Sequence, residues 1–130
     1  MKEKPFRQTP GSSAGYHPLR KLRTALSGIV QAVVLDFSVQ YKLIVSFAFL
    51  ALAGWYEAPF HFIFVLNVTG LMLIAEIFNT VVEELCDYLQ PEYDVRVGRI
   101  KDMAAAAATI AVTIWLAVLF FVSYELLVRT

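Results

Sequence analysis

Among 130 residues, the sequence has only one cysteine, two histidines and six glycines. These residues are common in disulfides, metal sites and phosphate-binding loops. The lone cysteine, Cys86, allows neither a disulfide within the chain nor a thiolate metal cluster. No glycines stand in the Gly-x-x-x-x-Gly-Lys-Ser/Thr arrangement of a P-loop, nor in a kinase-type glycine-rich loop. No basic cluster alternates with aromatic residues, which argues against nucleic acid as a partner.

The chain is 58% hydrophobic, and three long stretches have no charged residue. These stretches are residues 43–56, 58–75 and 103–124. The last stretch is long enough to span a membrane. The first reaches spanning length only when residues 38–42 join it, with Lys42 snorkelling toward the interface. We therefore predict an all-α integral membrane protein with three transmembrane helices, at about residues 38–56, 59–87 and 102–126.

Two connections separate these spans. Glu57-Ala58-Pro59 predicts a tight turn, so the first two spans should form a helical hairpin. Residues 85–101 predict a polar connection that Pro91 interrupts.

Lysine and arginine are unevenly distributed, although the net charge is zero. Residues 1–40 and the second connection are rich in them, whereas the first connection has none. The positive-inside rule then places the N-terminus and the second connection in the cytoplasm, and the C-terminus on the far side of the membrane.

The N-terminal part is predicted to contain a tail and a surface helix. Residues 1–15 are polar and rich in proline, glycine and serine, so we expect a disordered cytoplasmic tail and no signal peptide. Within the remaining domain, 16–130, residues 18–37 predict an amphipathic helix on the inner membrane surface. Asp36 falls on its apolar face, where it is either a carboxylate that needs a partner or a helix-end charge at the headgroup level.

Four polar residues share one face of the second predicted span: Glu76, Asn79, Glu83 and Asp87. Their spacing keeps them within a narrow arc of a helix. Carboxylates at the end of a membrane span are costly, and proteins tolerate them mainly where they bind cations or move protons.

Further polar residues are expected at the same membrane face: Asp36, Glu92, Asp94, Lys101 and Asp102. Oxygen ligands with few histidines favour Mg²⁺, which commonly accompanies phosphates, and a lysine would supply a counter-charge. From the residues alone, a cation or proton pathway and phosphoryl transfer are equally favoured. A third interpretation is a helix bundle whose inner ends are polar without having a catalytic or transport function.

The order of these residues resembles the prokaryotic diacylglycerol kinase family, which includes the undecaprenol kinases. The family pattern Glu-x-x-Asn-x-x-x-Glu-x-x-x-Asp, followed by Glu-Tyr and Lys-Asp, is matched by Glu76, Asn79, Glu83, Asp87, Glu92-Tyr93 and Lys101-Asp102. The resemblance covers about residues 18–125. It implies a homotrimeric enzyme of the bacterial inner membrane that transfers the γ-phosphate of ATP, with Mg²⁺, to a membrane lipid hydroxyl.

The resemblance also implies roles for individual residues. Glu76 resembles the general base, and Glu83 and Asp36 resemble metal ligands. The nucleotide-binding positions are matched by Asp36, Glu83, Glu92, Tyr93, Asp94, Lys101 and Asp102, and polar supporting positions by Asn79 and Asp87.

Two departures from the family stand near the first span. Asp36, eight residues after a matching Gly28, replaces a usual glutamate, and Gln40 stands near a usual arginine. The lipid is left open between diacylglycerol and undecaprenol, because different segments resemble the two branches.

Two alternative functions stay open. One is a small oligomeric cation or proton conductor, and the other is a catalytically dead structural subunit. The alanine run 104–108 favours close approach of neighbouring helices.

Overall fold

The computed structural model describes residues 18–129, apart from the side chains of Leu35 and Arg129, and this part of the chain forms four helices without strands. The helices are α1 (Pro18–Leu35), α2 (Phe37–Trp55), α3 (Pro59–Leu89) and α4 (Val95–Arg129). The all-α prediction, with three helices able to span a membrane after an N-terminal helix, is confirmed. The predicted tail, residues 1–15, lies outside the described residues.

Helices α2, α3 and α4 are each long and apolar enough to cross a membrane. The 31 residues of α3 and the 35 residues of α4 exceed what the hydrocarbon core requires, since about 20 residues cross its roughly 30 Å. Both helices continue into the stretch predicted as a polar connection, so only residues 90–94 join them. The polar ends of α3 and α4 are therefore helical.

The break between α1 and α2 lies at Asp36, which belongs to neither helix. Asp36 has extended backbone angles (φ −116°, ψ 104°), and its Oδ1 accepts a hydrogen bond of 2.7 Å from the backbone N–H of Ser38. It is thus the N-cap of α2, a position that aspartate favours. The predicted single helix to Phe37 instead ends at Leu35, because the cap starts a new helix there. Of the two interpretations of Asp36, its position at a helix end is the one that the structure shows, whereas its depth in a membrane stays a prediction.

Gln40 completes the same junction. Its Nε2 donates to the carbonyl oxygens of Val33 and Val34, at 3.0 and 3.3 Å. Carbonyls in the last turn of a helix have no partner within that helix, so the Gln40 amide satisfies groups at the end of α1.

Within the N-terminal unit, which ends at Gln31, α1 exposes its apolar residues. Leu19, Leu22, Leu26 and Ile29 are all exposed. That the apolar side of α1 rests on a membrane surface stays a prediction.

The connection between α2 and α3 is the predicted tight turn. The N–H of Ala58 donates to the carbonyl of Ala53 at 2.9 Å, and that of Glu57 to the carbonyl of Gly54 at 3.2 Å. This pair of bonds is the Schellman arrangement, and Glu57 takes the left-handed conformation (φ 50°) that it requires. Pro59 then occupies the first turn of α3, where its missing N–H costs nothing.

The core of the three long helices is mainly apolar and includes a polar cluster around Ser46. Val65, Val68 and Met72 of α3 are buried in the same cluster as Trp115, Leu119 and Val122 of α4. The buried hydroxyl of Ser46 on α2 accepts hydrogen bonds from Thr69 Oγ1 and Trp115 Nε1, both at 2.9 Å. Side chains from all three long helices are therefore in contact at Ser46. Of the alanine run 104–108, only Ala108 is fully buried within this chain.

Candidate active site

The polar face of α3 forms the centre of the site. Glu76 is buried, Asn79 is half-buried, and Glu83 and Asp87 are exposed. Asn79 Nδ2 donates to Glu83 Oε1 at 3.0 Å, whereas its Oδ1 is buried without a hydrogen-bond partner in the chain. The helix therefore carries one buried carboxylate, one unsatisfied amide oxygen and two solvent-facing carboxylates along a continuous line.

Glu76 is paired with Lys42 of α2. Lys42 Nζ forms an ion pair with Glu76 Oε1, and the side chains are only 5% and 10% exposed. The same ammonium donates to Ser38 Oγ at 2.7 Å. The expectation that Lys42 snorkels toward the interface was wrong: a buried carboxylate on the neighbouring helix offers a nearer and less hydrated partner.

A second ion pair joins the polar ends of α3 and α4. Lys101 Nζ is bonded to Asp87 Oδ1, and both side chains are partly open to solvent. The pair places a cation next to the carboxylates of α3, where the sequence predicted a counter-charge for phosphates.

The loop 90–94 and the first turns of α4 hold the other expected nucleotide positions. Asp94 Oδ1 accepts hydrogen bonds from the backbone N–H groups of Arg96 and Val97, at 2.7 and 3.3 Å, and thereby caps α4. Glu92 and Tyr93 are exposed. Asp102 lines an open groove of about 470 Å³ with Arg96, Arg99, Ile100 and Met103.

The sequence profile of the prokaryotic diacylglycerol kinase family matches residues 23–123. The chain belongs to this family. The match spans α3, its polar face, the loop after it and most of α4. No curated protein sequence gives a significant match. Members of the family are small lipid kinases, so the protein is a lipid kinase with helices able to span a membrane.

The residues of this lipid kinase include carboxylates that are candidates to hold a metal ion. In residues 18–129, no three histidine, cysteine, aspartate or glutamate side chains converge to hold a metal ion. However, Mg²⁺ usually takes one or two carboxylates and completes its shell with water and phosphate oxygens. Glu83, together with the unsatisfied Oδ1 of Asn79, fits that requirement. Asp36 bonds to the Ser38 backbone, at the start of α2.

Two features of the kinase were not anticipated from the sequence. Lys42 is the partner of Glu76, and Arg96 and Arg99 share a groove with Asp102. A signal for the first was present, because a lysine and a glutamate in adjacent spans of a predicted hairpin are natural partners. From the sequence, Arg96 was interpreted only as a marker of orientation, and Arg99 also as part of a segment that resembles the diacylglycerol branch.

Proposed function

We propose that this lipid kinase transfers the γ-phosphate of ATP to the hydroxyl of diacylglycerol or of undecaprenol, in a reaction that requires Mg²⁺. The observation that carries the proposal is the position of Glu76, a buried carboxylate one turn from the Asn79–Glu83 pair on the same helix face. A base next to the apolar part of α3 suits a lipid hydroxyl, and the exposed carboxylates beyond it suit a water-soluble nucleotide.

In the proposed reaction, Glu76 is the general base. The lipid hydroxyl gives its proton to the Glu76 carboxylate, and its oxygen forms a bond to the γ-phosphorus. The bond from that phosphorus to the β–γ bridging oxygen breaks, and ADP leaves with that electron pair. The proton passes from Glu76 to water after the phospholipid departs.

Glu83 and Asn79 Oδ1 are the residues that would hold Mg²⁺, and Asp36 is the further proposed ligand. The bound ion would neutralise negative charge on the phosphate oxygens. Asn79 Nδ2 keeps Glu83 Oε1 in place through its hydrogen bond, so the amide positions the carboxylate, while its own oxygen is buried without a hydrogen-bond partner in the chain.

The nucleotide is proposed to lie against the polar ends of α3 and α4. Lys101, held by Asp87, and the arginines of the groove beside Asp102 supply positive charge for its phosphates. Glu92 and Tyr93 are exposed and free to contact the nucleoside, and Asp94 fixes the loop by capping α4. We further propose a homotrimer in the bacterial inner membrane, with the N-terminus and loop 90–94 in the cytoplasm.

The roles of Glu76 and Glu83 are separable by substitution. Glu76→Gln should lower turnover by about 10²–10⁴-fold and leave MgATP binding nearly unchanged, because glutamine keeps the shape of the side chain but accepts no proton. Glu83→Gln should weaken nucleotide binding only when Mg²⁺ is present, since the ion loses a charged ligand. Glu84→Gln, an exposed neighbour off the polar face, is the matched control and should behave as the wild type.

The measurements are phosphorylation of each lipid in liposomes and nucleotide titrations with and without Mg²⁺. Loss of nucleotide affinity in Glu76→Gln with retention in Glu83→Gln would reverse the two assignments. Ion flux across the same liposomes without ATP, with no phospholipid formed, would favour the conductor instead. Absence of turnover on every lipid hydroxyl would indicate a structural subunit.

A further inference from the structure

The ion pair between Lys42 and Glu76 is the most deeply buried pair of charges in the described part of the chain. It joins α2 to α3, and its two residues are 34 positions apart. Burial of two charges is costly, and hydrophobic residues of similar volume often give equal or greater stability. Because stability alone does not explain why charges occupy this buried position, we expect another role of the pair.

The contacts of the Lys42 ammonium indicate what this other role could be. Its ammonium bonds to Glu76 Oε1 and to Ser38 Oγ, while the backbone N–H of Ser38 is held by Asp36 at the start of α2. The ammonium is therefore anchored on its own helix and reaches only one of the two Glu76 oxygens. Oε2 is outside this pair.

A general base must be unprotonated when its substrate arrives. An isolated carboxylate in an apolar environment takes up a proton instead, because the charged form loses its hydration. A cation in contact with one oxygen opposes that uptake and also fixes the plane of the carboxylate.

We propose that Lys42 is the positioning residue of this kinase: its ammonium keeps Glu76 ionised and held at Oε1, so that Oε2 faces the lipid hydroxyl. The inference rests on the proposed role of Glu76 as the base. Lys42 itself neither touches the nucleotide nor takes the proton, and it acts through Glu76.

The charge state of Glu76 is measurable without any activity, by infrared spectroscopy of the purified protein at neutral pH. In Lys42→Met, a carbonyl stretch of a protonated carboxylic acid should appear that the wild type lacks. Its absence from Lys42→Met/Glu76→Gln assigns the band to Glu76. Lys42→Arg, which keeps the positive charge, should show no such band.

Kinetics test the positioning role. Lys42→Met should lower kcat by about 10²-fold, the scale of loss for a misplaced reacting group, with KM for MgATP unchanged. Lys42→Arg should recover most of kcat. A merely structural ion pair predicts lower stability of both variants with no separation of kcat from KM.

If Lys42→Met does not fold, Lys42→Gln is the variant to use. The glutamine amide still donates hydrogen bonds but carries no charge. An ionised Glu76 and unchanged kcat in Lys42→Gln or Lys42→Met would overturn the proposal. Full turnover in Glu76→Gln would instead remove Glu76 as the base, whereas the infrared result would still report whether Lys42 controls its charge.

Discussion

Asp36 is the N-cap of α2 and a proposed metal ligand, and these two roles differ in what they require of the side chain. As the N-cap of α2, it needs an oxygen that accepts the N–H of Ser38, which a neutral side chain also supplies. As a proposed metal ligand, it needs a negative charge. The family resemblance places a glutamate at this position, and glutamate is a poorer cap, so the shorter residue suits the junction seen here.

Substitution of Asp36 distinguishes these roles. Asp36→Asn should keep the cap and the free energy of unfolding, yet raise the Mg²⁺ concentration needed for half-maximal activity, because a charged ligand is lost. Asp36→Ala should in addition lower stability by about 0.5–2 kcal/mol. Unfolding in mixed micelles and Mg²⁺ titrations of activity provide the two measurements. An unchanged Mg²⁺ requirement in both variants would show that Asp36 is only a cap.

At the scale of elements, periodicity and charge predicted the membrane helices well, because the spacing of polar residues on α3 is a property of one helix. The hairpin was predicted because Glu57-Ala58-Pro59 carries a local turn signal. The pairing of Lys42 with Glu76 was not predicted, since it depends on the register between α2 and α3. The end of α1 was missed because the apolar spacing continues through Phe37, and the capping preference of Asp36 outweighs it.

The hydrogen bonds at Ser46 link α2 to both α3 and α4. Thr69→Val removes the hydroxyl that donates to Ser46 and nearly preserves the shape, so it should destabilise the fold by about 0.6 kcal/mol, the usual worth of such a bond between membrane helices. Thr113→Val is the control, because the Thr113 hydroxyl is exposed and bonds only to a carbonyl of its own helix. Equal unfolding free energies for both variants would show that this bond adds no stability.

At the scale of the whole molecule, the two connections of the long helices should lie on opposite sides of the membrane. With Cys86 replaced by alanine, a cysteine at position 57 should react with an impermeant reagent added outside intact cells. A cysteine at position 94 should react only after the membrane is opened. Both positions are exposed or half-exposed, so access to the thiol is not limited by burial. Labelling of both from one side would contradict the proposed topology.

The described residues of one chain leave the proposed site incomplete. No three acidic, histidine or cysteine side chains converge on a metal position in residues 18–129, and Glu83 and Asp87 face outward. Intramembrane and interfacial charges normally face protein or water, so a second copy of the chain is the natural source of the missing groups. A site shared between subunits predicts that two different inactive variants can complement each other, which a site within one chain does not allow.

Two inactive variants with lesions on different sides of a shared site should restore activity when mixed. Glu76→Gln lacks the proposed base, and Lys101→Ala lacks the proposed phosphate contact. In random assemblies from equal amounts, about a quarter of shared sites should be intact, because each position is native with a probability of one half. Mixing Glu76→Gln with Glu76→Gln/Lys101→Ala is the control and should give no activity. If the first mixture also stays inactive at every ratio, each subunit carries its own complete site.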